Sequence, residues 1–75
     1  MNMAIFIQRK HGGEEILQVI PREAVVMVEL RGGKVMVHTR RSAVEVRPHP
    51  DHLAEVKANL LGFASGKLLW IREEG

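Results

Sequence analysis

The order of apolar and polar residues divides the chain into short extended segments, one helical segment and a last extended run. The stretch Val25–Arg47 sets the pattern. Val25-Val26-Met27-Val28-Glu29-Leu30 is almost continuously apolar and rich in β-branched side chains, which predicts a strand covered on both faces. Val35–Arg40 and Ala43–Arg47 alternate instead. Val35 and Val37 oppose His38 and Arg40, and Val44 and Val46 oppose Glu45 and Arg47. Gly32-Gly33, between Arg31 and Lys34, suits the positive φ of a tight hairpin, and Arg40-Arg41-Ser42 marks a second reversal.

Upstream, Met3–Arg9 reads as a first strand, with Ile5 and Ile7 on one face and Phe6 and Gln8 on the other. Gly12-Gly13 turns the chain into a second strand over Glu14–Ile20. Pro21 lacks a ladder N–H and ends that strand, so a short helical turn is expected before Val25. Downstream, Pro48-His49-Pro50-Asp51 stops the strands, with Pro50 suited to a first helical turn and Asp51 to its dipole. Leu53, Val56 and Leu60 then follow helical spacing, widened by Ala54 and Leu61. The prediction is one amphipathic helix over about residues 50–61, stopped by Gly62. In the last run, Lys67–Arg72, Leu68 and Trp70 share one face of a strand and Leu69 and Ile71 the other.

Together these elements predict an α+β fold: a small bent antiparallel sheet of five or six strands with one packed amphipathic helix, in a single domain over residues 1–75. The expected core is Ile5, Ile7, Leu17, Val19, Val26, Val28, Val35, Val37, Val44, Val46, Leu53, Val56 and Leu60. A chain this short buries only about 60% of its unfolded surface, so its stability margin is small. With no cysteine, disulfides, thiolate metal sites and thiol catalysis are excluded, and a reducing cytoplasm is the expected location. No run approaches the ~20 apolar residues of a membrane span, and no signal pattern opens the chain.

Eleven basic residues stand against nine acidic ones, and their distribution matters more than the total. Arg31, Lys34, Arg40, Arg41 and Arg47 face Glu45 alone within residues 31–47, while the remaining residues are mildly acidic. The hydroxyl side chains are Thr39, Ser42 and Ser65. Ser42 with His38 is the nearest approach to a nucleophile and base, and no acid is spaced to complete it, so no enzymatic activity is expected. His49 and His52, three apart at the helix start, are candidate metal ligands together with His38. Without a further ligand fixed by spacing, His49 is expected to cap the helix, His52 to face solvent, and no cofactor to bind. The basic stretch contains no aromatic residue, which argues against single-strand stacking and leaves phosphate contact or groove insertion.

Gly13-Glu14-Glu15-Ile16, Ile20-Pro21, Val28-Glu29, Val35–Thr39 and Val44–Val46 before Leu53-Ala54-Glu55-Val56 resemble, in order, the FlbD-type family of small bacterial flagellar-operon proteins. Glu29, Val35-Met36-Val37-His38-Thr39, Leu53, Leu60 and Phe63 are similar to the LytTR-type DNA-binding domain across Val25–Phe63. That family follows its phenylalanine with a basic DNA-contacting run, where this chain has Ala64-Ser65-Gly66-Lys67-Leu68. Both resemblances imply architecture and assign no residue roles. The expected function is a small non-enzymatic protein-interaction or self-association module of bacterial or phage type. It would join a second copy or another protein through Leu68, Leu69, Trp70 and Ile71 of the last strand. The alternative is a DNA-binding, regulatory domain that uses Arg31, Lys34, Arg40, Arg41 and Arg47 on phosphates.

Overall fold

A computed structural model of the chain describes residues 4–73. It contains strands β1 (Ala4–His11), β2 (Glu14–Pro21), β3 (Val25–Arg31), β4 (Lys34–Thr39), β5 (Ala43–Val46) and β6 (Leu69–Arg72), with helix α1 (Leu53–Ala64) before β6. Single 3-10 turns, Arg22–Ala24 and Pro50–His52, precede β3 and α1. The class is α+β, as the sequence predicts. Met3, assigned to the first strand from the sequence, lies outside the described residues.

The strands form two three-stranded sheets, ordered β2-β1-β6 and β3-β4-β5, where the alternation pattern predicts one bent sheet. The split falls at Pro21 and the 3-10 turn after it, which carry the chain away from β2 before β3 begins. The second sheet is antiparallel throughout, and so is β1 with β2. β6 lies parallel to β1, pairing Ile5 with Leu69 and Ile7 with Ile71. A parallel partner needs a crossover rather than a turn, and here the whole intervening chain supplies it, α1 last.

Ile5, Ile7, Leu69 and Ile71 from the first sheet are fully buried with Val35, Val37 and Val46 from the second, and Val56 and Phe63 of α1 complete the cluster. Val28, Val44 and Leu60 are partly buried against it, and Leu53 is half-exposed. Three expected core residues lie outside: Leu17, Val19 and Val26 are 56%, 63% and 65% exposed. Leu17 and Val19 sit opposite Gln8 and Phe6, on the face of the first sheet turned away from Ile5 and Ile7. Val26 stands at a register shift between Val25 and Met27 in β3, which is an edge strand rather than a doubly covered one. Phe63, Leu69, Ile71 and His52 are buried although the hydrophobic pattern does not single them out as core.

The helix runs past Gly62, its expected stop, to Ala64. Gly66, at φ +95°, ends it: its N–H donates to the Phe63 carbonyl at 3.0 Å, and the Lys67 N–H donates to that of Gly62 at 2.9 Å. The same left-handed freedom shapes the β3–β4 hairpin, where Gly32 and Gly33 have φ of +58° and +79°.

Urea denaturation should separate the two faces of the first sheet. Leu69→Ala is expected to lower stability by about 2–5 kcal/mol, whereas Leu17→Ala should stay within about 0.5 kcal/mol of the parent. Gly66→Ala meets no neighbour, so its expected cost of about 1 kcal/mol is conformational.

Candidate interaction surfaces

The last strand divides the residues assigned to self-association. Leu69 and Ile71 point into the core, while Trp70 is half-buried and Leu68 exposed on the opposite side. The outer edge of β6 is occupied by the chain itself. The His49 N–H donates to the Arg72 carbonyl at 2.9 Å, Pro48 forms a bridge with Glu73, and His52 Nε2 lies 3.2 Å from the Trp70 carbonyl. Strand pairing through β6, which its doubly apolar sequence suggests, therefore has no free edge to use.

What β6 leaves outside is a face. Register places Val19 opposite Phe6 and Phe6 opposite Trp70, so three apolar side chains cross the first sheet in one row. Leu17 lies in the next row on the same face, beside Gln8, whose Oε1 accepts a hydrogen bond from Trp70 Nε1 at 3.2 Å. Lys10, Glu15 and Arg72 border this face at one end.

The histidines are fixed within the chain. His49 Nδ1 accepts the Asp51 N–H at 3.1 Å, as a helix-capping residue would. His52 is 2% exposed rather than solvent-facing, because the turn that starts the helix packs on β6. Its Nδ1 lies 2.9 Å from Glu55 Oε1, and its ring meets Trp70 edge-on with centroids 4.6 Å apart. His38 lies in the second sheet, Nε2 3.6 Å from Glu29 Oε1. Among the described residues no group of three or more His, Cys, Asp or Glu is arranged to hold a metal ion. Thr39 Oγ1 donates to the Ser42 carbonyl and accepts the Arg41 and Ser42 N–H groups around the β4–β5 turn, and Ser65 Oγ donates to the Leu61 carbonyl.

The five basic residues of the central hairpins fall at opposite ends of β4. Arg31 and Lys34 flank the β3–β4 turn, and Arg47 follows Val46, the partner of Val35. Glu29 and Glu45 stand on that end: Arg31 reaches Glu29 at 2.5 Å, and Glu45 receives Lys34 at 3.8 Å and Arg47 at 4.0 Å. Arg40 and Arg41 lie at the other turn, six residues or about 20 Å along the strand, in a shallow hollow with Ala24, Thr39 and Ser42. No carboxylate among the described residues lies within salt-bridge distance of either.

The free sheet edges are set by the same accounting. Beside β5, Arg9 Nη2 donates to the Glu45 carbonyl at 2.9 Å and to Glu73 Oε2 at 3.1 Å, and that carboxylate also accepts the Arg47 N–H at 3.2 Å. Among the described residues, β2 and β3 carry no such covering. Along β3 runs a groove lined by Val25, Val26, Met27 and Val28 and, from α1, by Leu60 and Phe63. Arg22 lies across its end, its guanidinium 4.6 Å from the Phe63 ring centroid and Nη1 2.5 Å from the Phe63 carbonyl. The sequence gives no sign of this groove, because its walls come from residues ~35 positions apart, brought together only by packing.

No helix among the described residues is long and apolar enough to cross a membrane. Comparison of the chain with family models, with curated proteins and with solved structures returned no match.

His52→Ala should remove the ring that holds the Trp70 carbonyl and the Glu55 carboxylate and leave a cavity against the indole. The expected loss is about 2–4 kcal/mol, read in urea denaturation, with a changed Trp70 emission in the folded state. An unmoved midpoint would show that the Pro48–His52 segment does not secure β6.

Proposed function

We propose that this chain is a small non-enzymatic protein-interaction module that joins a second copy of itself through the outer face of the β2-β1-β6 sheet. The observation that carries this reading is the in-register row Val19–Phe6–Trp70, with Leu17 and Leu68 exposed around it. Apolar side chains adjoining on one sheet face favour packing against a second face, about 10 Å away in sheet-on-sheet contacts. The occupant follows from charge. The centre of the face is uncharged and its border carries Lys10 and Arg72 together with Glu15, so a two-fold arrangement can set each acid of one copy against a base of the other. The self-association expected from the last strand is kept in this reading, with its contact moved from a strand edge to Trp70 and Leu68.

The DNA-binding alternative draws support from Arg40 and Arg41, which have no carboxylate partner, and from the LytTR-like pattern. It is opposed by Glu29 and Glu45, which pair with Arg31, Lys34 and Arg47 and leave one end of the hairpin more open to phosphates than the other.

Sedimentation equilibrium tests the self-association. The chain is expected to be a dimer and Val19→Lys a monomer that still unfolds cooperatively in urea, while Arg40→Ala/Arg41→Ala remains dimeric. A parent chain that stays monomeric at high concentration would remove the proposal.

A further inference from the structure

We infer that the open edge of β3 is a second and separate docking site, one that accepts an extended segment of another protein, apolar along its length and acidic at its C-terminal end, added antiparallel to β3.

The edge is the first part of the argument. Among the described residues β3 pairs with β4 alone, so alternate residues direct their N–H and C=O groups away from the sheet. From Met27 to Arg31 the register with β4 is regular, which gives an added strand a regular template. The groove is the second part. Side chains of an added strand alternate, and those turned toward α1 would meet Val26, Met27, Leu60 and Phe63, with Val26 65% and Met27 47% exposed.

Charge selects the occupant. At the Val25 end of the groove stands Arg22, and Arg40 and Arg41 line a neighbouring hollow with Ala24 and Thr39, the partner of Val25; none of the three has a carboxylate among the described residues within salt-bridge distance. At the far end Arg31 is neutralised by Glu29. A segment antiparallel to β3 reaches the Val25 end with its last residues, so an acid there approaches Arg22, with Arg40 and Arg41 in the hollow beyond, while the apolar residues before it lie in the groove. A second copy of β3 is the wrong occupant. Antiparallel pairing centred on Val28 would bring Arg31 of the second copy to Val25, with its Glu29 already paired to that arginine, so it offers no free acid to the arginines there.

The test uses fluorescent peptides of alternating valine and threonine ended by two glutamates, titrated by anisotropy into the full chain. Controls end in two lysines, or carry N-methyl groups on alternate backbone nitrogens. The acid-ended peptide is expected to bind at least about tenfold more tightly than either control, and to lose about tenfold in Arg40→Ala/Arg41→Ala. Val19→Lys should bind it as the parent does, which separates this site from self-association through the other sheet. Equal binding of the N-methylated peptide would overturn strand addition, and equal binding of the lysine-ended peptide would overturn the acidic preference. No binding of the acid-ended peptide at millimolar concentration would overturn the proposal, and duplex DNA held through Arg40 and Arg41 would then mark a nucleic-acid site in its place.

Discussion

Parallel pairing of β1 with β6 is the constraint from which the rest of the molecule follows. It brings Leu69 and Ile71 beside Ile5 and Ile7, so one sheet presents four fully buried aliphatic side chains to the valines of the other. Because a parallel partner cannot be reached by a hairpin, the second sheet and the helix must fit within the connection. α1 is held between its two ends, by the histidine-bearing turn that packs on β6 and by Arg22 at the Phe63 carbonyl. The Arg9–Glu73 pair, also bound to the Glu45 carbonyl and the Arg47 N–H, then joins the two sheets where β6 ends.

The same arrangement decides which parts of the backbone meet solvent. An exposed strand edge invites pairing, and proteins commonly cover or charge it. Here β6 is covered by Pro48–His52 and β5 by an arginine and a glutamate, both from within the chain. The edge of β3 has an apolar groove and a positive end instead, and the outer face of the first sheet has a row of apolar side chains. The two surfaces differ in chemistry and lie on two different sheets, so the proposed self-association and the proposed strand capture would not compete. A buried histidine contributes to that division, since its ring occupies a carbonyl that would otherwise point outward from β6.

Local structure was legible in the sequence to the extent that it depends on local spacing. The diglycine turns, the break at Pro21 and the helix start at Pro50 depend on a few neighbouring residues, and each lies where its residues place it. Which face of a strand is inside was legible only where one face is polar. Val35 and Val37 oppose polar neighbours and are buried as expected. Ile16-Leu17-Gln18-Val19-Ile20 offers apolar residues to both sides, and only the pairing with β1 decides that Leu17 and Val19 lie outside. Gly62 was a plausible stop, but packing of Phe63 into the core carries the helix a further half-turn or so. The candidate surfaces were less legible still. The parity of Leu68 to Ile71 was readable, its direction was not, and the cluster of basic residues hid Glu29, which lies just outside the window in sequence and opposite Met36 in the sheet.

The parallel arrangement of the first and last strands also has a mechanical meaning. Tension applied through the segments before Ala4 and after Arg72 pulls two hydrogen-bonded neighbours lengthwise past each other, loading the four register pairs from Ile5–Leu69 to Gln8–Arg72 together rather than in turn. An antiparallel terminal pair joined at a hairpin would open one bond at a time under the same pull. Behind those bonds, sliding would also drag Leu69 and Ile71 across the buried valines. A molecule tethered at both ends would therefore yield by shear rather than by unzipping.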